Sequence, residues 1–97
     1  MLTRSEIFQI VAEFKKSASP EYGIRRLGIF GSVARDEARD QSDVDIVIET
    51  ETPDPFNLVH IKEALEDRLE RHVDIVRIRP GMNPFLRQRI EKEARYV

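Results

Sequence analysis

Residues 30–49 read FGSVARDEARDQSDVDIVIE, Phe30 to Glu49, and this stretch decides the fold. Its second half is a β-branched apolar run, Val44, Ile46, Val47 and Ile48, with carboxylates Asp43 and Asp45 set into its start. Side chains on a strand alternate faces, so Asp43 and Asp45 point the same way, with Cα atoms roughly 6.5 to 7 Å apart. Val44, Ile46 and Ile48 take the opposite face, where burial pins the register and keeps the acids from slipping inward. Two carboxylates on one face can share a cation.

Working outward, HVDIVRI repeats the texture of this strand and brings Asp74 to the start of a third one. Between them Leu58, Ile61, Leu65 and Leu69 form the apolar stripe of a helix that opens at Asp54-Pro55, within the loop-like stretch TETPDPFN. A helix of that length makes a crossover, so the second and third strands are expected to run parallel, with Asp74 level with the other acids. Upstream, IRRLGIF reads as the first strand and delivers Gly31-Ser32 at its end. Bringing that end to the start of the second strand requires an antiparallel pair, so the sheet is mixed.

The N-terminus shows a capping-box pattern, Thr3 with Glu6, followed by Ile7, Ile10, Val11 and Phe14 at helical spacing. This helix ends near SASPEYG, with Pro20 and Gly23 as turn punctuation. Val33 to Arg39 suits a short helix of about two turns, broken by DQSD at positions 40–43. Asn83-Pro84 opens a last helix lined by Leu86, Ile90, Ala94 and Val97. The expected order is α-β-α-β-α-β-α: an α/β (α+β) chain with a small mixed β-sheet flanked by helices, one domain over residues 1–97.

Composition narrows the function. Ninety-seven residues leave room for one modest core and no second substrate-binding domain. A formal charge of -2 gives no long-range attraction to a nucleic-acid backbone, so direct nucleic-acid binding is not expected. With no cysteine there is neither a disulfide frame nor a thiolate metal site. Arg4, Glu6 and Glu13 interrupt the first residues, which therefore lack a secretory signal core; a cytoplasmic protein without membrane segments is expected.

Gly31 lets backbone approach a ligand closely, the start of the short helix behind Ser32 presents unpaired N–H groups to a phosphate, and Ser32 adds a hydroxyl. Hard carboxylate ligands beside such a cradle suit Mg2+ held jointly with nucleotide phosphates. In two-metal phosphoryl chemistry Asp43 and Asp45 fit metal binding, and Asp74 fits both the metal cluster and the side of the attacking hydroxyl. Arg35 and Arg39, one turn apart on the short helix, are within plausible reach of phosphates.

Gly31-Ser32, ten intervening residues and then Asp43-Val44-Asp45 resemble the G-S/D-x-D signature of the polymerase β-type nucleotidyltransferases. GSVARDEARDQSDVDIVIE is similar to the minimal nucleotidyltransferases (MNT), the antitoxin halves of HEPN/MNT toxin–antitoxin pairs. The likeness takes in nearly the whole chain, with Asp74 and the terminal LRQRIEKEARYV. The resemblance implies a polymerase β-like nucleotidyltransferase fold and an enzyme using two Mg2+ ions and ATP to place AMP on a tyrosine of a partner HEPN ribonuclease toxin. It implies catalytic and metal roles for Asp43, Asp45 and Asp74 and nucleotide contacts for Gly31, Ser32 and Arg35. One departure is Asp36, where the family often continues GSxARG; an acid there weakens nucleotide binding unless Arg35 compensates.

Each part has a plainer reading when taken alone. Gly31-Ser32 is then a strand-to-helix turn, and Asp43 with Asp45 simply solubilises a strand end. Arg25, Arg26, Arg77 and Arg79 read as exposed strand-edge charges. His60 and His72 lack the spacing of a zinc pair, although His72 shares a strand face with Asp74. Tyr22 and Tyr96 read as packing residues. Two functional rivals remain: an antitoxin that neutralises its partner by docking alone, and a transferase acting on a small-molecule hydroxyl, with a homo-oligomer interface supplying the acceptor pocket.

Overall fold

The N-caps of the three long helices fall where the sequence puts them. In a computed structural model that describes residues 2–39 and 42–97, helix α1 (Arg4–Tyr22) starts with Thr3 Oγ1 accepting from Glu6 N at 3.1 Å and Glu6 Oε1 accepting from Thr3 N at 3.0 Å. Gly23 closes it in the left-handed region at φ 63°, where a residue without Cβ carries no penalty. Pro20 lies inside the last turn and not in a following loop, a correction to its reading as turn punctuation. Helix α3 (Pro55–Leu69) is capped by Asp54, which accepts from Phe56 N and Asn57 N, and α4 (Pro84–Glu93) by Asn83, which accepts from Phe85 N and Leu86 N.

Strands β1 (Ile24–Phe30), β2 (Val44–Thr50), β3 (Val73–Arg77) and β4 (Arg95–Tyr96) form one sheet in the order β3-β2-β1-β4. β1 runs antiparallel to β2 with Phe30 opposite Asp45, and β2 runs parallel to β3 with Asp45 opposite Asp74. The mixed sheet and the level of the acids are as expected. One core, built from Ile7, Val11, Phe14, Leu27, Ile29, Val44, Ile46, Ile48, Ile61 and Leu65, packs α1 and α3 on one face. A smaller cluster of Phe30, Val47, Met82 and Ile90 seats α4 on the other. The result is three layers, with Asp45 sharing the α4 face with Val47 by strand alternation. Among the described residues no helix is long and apolar enough to cross a membrane.

Two expectations fail. The short helix α2 (Gly31–Ala34) is a single turn that begins at Gly31, in place of two turns over Val33 to Arg39. Asp36 takes φ 60°, a conformation that interrupts a right-handed helix. The break expected at positions 40–43 includes Asp40 and Gln41, which lie outside the described residues. The last helix ends at Glu93, so Val97 is not on it; Ala94 turns extended at ψ 136° and residues 95–96 pair antiparallel with Gly28 and Ile29. The edge of β1 offers unpaired backbone groups, and the tail satisfies them, ending with Val97 N donating to Leu27 O at 2.9 Å. A Cβ on Gly28 would stand 2.9 Å from Tyr96 Cδ1, so glycine is what lets the tail approach.

Candidate active site

The acids sit at the head of the parallel pair β2–β3, where Val44 N donates to His72 O at 3.0 Å and fixes the two strand starts side by side. Asp43, His72 and Asp74 converge there: His72 Nδ1 lies 3.4 Å from Asp43 Oδ2 and 3.8 Å from Asp74 Oδ1, and ligand atoms of the three fall within 4.8 Å of one another. All three are exposed. Asp45, opposite Asp74, is only part-exposed, and its carboxylate lies against Gly31. Its carboxyl is pushed above the ordinary aspartate range, first by burial and then by the negative charge of Asp74, with Asp43 adding to this and Arg89 and Arg35 opposing it. A cation at this end of the sheet would relieve that repulsion. The residues therefore fit a divalent cation: hard oxygen donors, an open side and a local excess of negative charge.

Gly31 follows Phe30 at φ 73°, and a Cβ there would collide with the Asp45 carboxylate, 3.0 Å from its Cγ. The Gly31-Ser32 turn and Asp45 are thus in contact. Arg4 of α1 holds the far end of the turn, its guanidinium donating to Val33 O and Ala34 O at 3.1 and 3.0 Å.

Sequence reasoning did not foresee the role of Glu93. Its carboxylate reaches back from α4 to accept from Gly31 N at 3.2 Å and from Arg35 Nη1 at 2.9 Å, with Arg89 at 3.7 Å. Arg35 is held between Glu93 and Glu37, 3.1 Å away. The guanidinium expected at a phosphate is therefore engaged by carboxylates beside the turn. Arg39 is not on a helix with Arg35; its N–H donates to Ser42 Oγ and its carbonyl accepts from Arg71. His72 meets Asp43 at the head of the neighbouring strand, a contact that histidine-to-histidine spacing cannot display. His60 lies exposed on α3. Arg26 pairs with Glu49 at 3.3 Å and lies over the Tyr96 ring, on an interior strand and not at an edge.

Comparison with known proteins gives the arrangement its family. A Methanocaldococcus jannaschii protein provisionally named a protein adenylyltransferase is 38% identical over 98 residues, covering 100% of both chains. The protein adenylyltransferase MntA of Thermococcus cleftensis is 35% identical over 98 residues, covering 100% of this chain and 98% of that one. Among solved structures, a Shewanella oneidensis complex of MNT antitoxin with tri-AMPylated HEPN toxin superposes with a TM-score of 0.72 over 97% of this chain and 71% of its own, at 18% identity, a likeness of fold. The family model described as a nucleotidyltransferase domain matches residues 9–97, and the chain belongs to that family of nucleotidyltransferases.

Proposed function

We propose that the chain acts as one nucleotidyltransferase domain, transferring AMP from ATP to a tyrosine hydroxyl of a HEPN ribonuclease toxin and so serving as its antitoxin. The observation that carries this reading is the contact of the Gly31 turn with Asp45, itself level with Asp74 across the β2–β3 pair. The adenylyltransferase names of relatives that align along the whole chain support the choice of AMP and of a protein acceptor. We take the cytoplasm as the compartment, in keeping with a chain free of cysteine.

In this reading Gly31 and Ser32 receive the triphosphate, with Arg35 beside them. Asp43, Asp45 and Asp74 would hold two Mg2+ ions, which would supply charge neutralisation at the α-phosphate and polarise the reacting oxygens. Asp74, exposed at the edge of the cluster, accepts the proton of the acceptor hydroxyl as its oxygen attacks the α-phosphorus. A phosphorus–oxygen bond forms to the acceptor, the bond to the bridging oxygen breaks, and pyrophosphate leaves. Positioning and electrostatics supply most of the acceleration. So small a domain leaves the acceptor to be presented by a second protein, and Phe85, 78% exposed on α4 beside Arg89 and Lys92 in an open groove of ≈ 480 Å³, offers that protein an apolar foothold.

The test is incubation with Mg2+, α-labelled ATP and the candidate toxin, comparing wild type with Asp45→Asn. Label on a toxin tyrosine with wild type alone is the expected result. A stable complex without label would leave docking as the mechanism, and label on a small hydroxyl compound in the absence of protein partner would replace the acceptor class. The double variant Asp43→Asn, Asp45→Asn separates chemistry from docking in cells: if it protects from the toxin at equal protein level, transfer is not what neutralises.

A further inference from the structure

We infer that His72 is a metal ligand, which turns the open cation site at the head of β2 and β3 from one suited to Mg2+ into one that prefers a softer divalent ion, Mn2+ over Mg2+. The inference rests on the nucleotidyltransferase reading and replaces its Mg2+ by Mn2+ at the His72 position. Its ground is geometric. His72 comes just before β3, and its backbone carbonyl is tied to Val44 N at 3.0 Å, so the imidazole is anchored at the point where Asp43 and Asp74 project. Nδ1 faces both carboxylates, at 3.4 Å from Asp43 and 3.8 Å from Asp74, and these three residues, without Asp45, form the candidate ligand group found among the described residues.

Imidazole nitrogen favours Mn2+, Co2+ and Zn2+, whereas Mg2+ demands oxygen and gives up its water reluctantly. One nitrogen with two carboxylate oxygens on one side leaves the remaining positions to water and phosphate, as an open, working site requires. Side chains near half exposure, 53% for His72 against 51% and 52% for Asp43 and Asp74, leave the ion free entry from solvent. The rival use of the same geometry is a protonated imidazole bridging two carboxylates, which predicts no bond from nitrogen to metal.

Pulsed electron paramagnetic resonance of the Mn2+-loaded protein separates the two. Directly bonded imidazole gives a nitrogen-14 modulation, expected in wild type and lost in His72→Ala. Titration of each ion should show the preference for Mn2+ over Mg2+ falling at least about tenfold in that variant, with Asp43→Asn losing both ions. Modulation that survives in His72→Ala, or an unchanged ratio of affinities, overturns the inference while leaving the transferase reading intact. Should His72→Ala fail to fold, the wild-type spectrum alone decides: absence of nitrogen modulation refutes the ligand. If wild type and Asp43→Asn bind Mn2+ equally weakly and neither transfers label from ATP, the transferase reading fails as well, and by a different observation.

Discussion

Replacing Gly31 with alanine tests the contact on which the site depends. The backbone sits at φ 73°, where an L-residue loses roughly 1–2 kcal/mol relative to the right-handed region. The new methyl would also meet the Asp45 carboxylate and displace it from its staggered position, about 0.5–1.5 kcal/mol more. Loss of glycine from the unfolded chain offsets about 0.4–1 kcal/mol of this, leaving a net cost of roughly 0.5–3 kcal/mol. For a domain of this size each kcal/mol moves Tm by about 4–8 °C, so the midpoint of thermal unfolding should fall by roughly 2–24 °C. Transfer of label should fall further than stability alone explains, on the order of a hundredfold at a temperature where the variant remains folded, because an aspartate moved by about 1 Å is out of line. Gly81→Ala is the control, since a Cβ there meets nothing within 4 Å. If Gly31→Ala matches Gly81→Ala in both Tm and transfer, the claimed approach of the turn to Asp45 is wrong.

Three other substitutions probe neighbouring features. Glu70 ends α3 in the left-handed region at φ 53°, so Glu70→Gly should raise stability by roughly 0.5–1 kcal/mol with transfer unchanged, as denaturant unfolding would register. Glu93→Ala removes the acceptor of Gly31 N and Arg35 Nη1 and should cost about 1–3 kcal/mol; an unchanged denaturation midpoint would remove Glu93 as the tie between α4 and the turn. Asp45→Asn should abolish transfer yet stabilise the ion-free protein near neutral pH. Because the folded-state pKa of Asp45 is raised, its ionised form costs stability above that value, and the cost fades as pH falls towards the unfolded-state value of about 3.9. The gain from Asp45→Asn should therefore shrink between neutral pH and about pH 4; a gain constant over that window would refute the attribution.

What the sequence could reveal was whatever local periodicity or a cap encodes. The alternation of Asp43, Asp45 and the intervening apolar residues is a property of one strand, and the repeated VDIV of strand three carries Asp74 to the same level. Asn83-Pro84 and Asp54-Pro55 are helix starts that depend on neighbours two or three residues away. Most of the misses involve long-range partners. The tail at residues 95–96 continues a helical pattern in composition, and only the unpaired edge of β1, far earlier in the chain, draws it into the sheet. The length of α2 could not be read because Asp36 interrupts it through a left-handed φ, which no periodicity displays. That φ also gives the family's glycine at this position a backbone reason: the place favours glycine whatever its effect on nucleotide. Glu93 and His72 meet their partners 62 residues and one strand away respectively.

The site and the stability of the ion-free fold pull in opposite directions at the same residues. Gly31 and Asp36 hold left-handed backbone, and Asp45 keeps a carboxylate in a part-buried position beside two others. Against these stand the Arg4 bonds to the end of α2 and the Glu93 contacts to Gly31 and Arg35, both supplied by helices on opposite faces of the sheet. The arrangement is thus clamped from both sides while its negative charge stays unbalanced, which makes a bound cation part of the stability as well as of the chemistry. Divalent ion should accordingly raise the Tm of wild type by more than that of Asp45→Asn. Equal shifts in the two proteins would mean that the ion binds without drawing on the repulsion at Asp45.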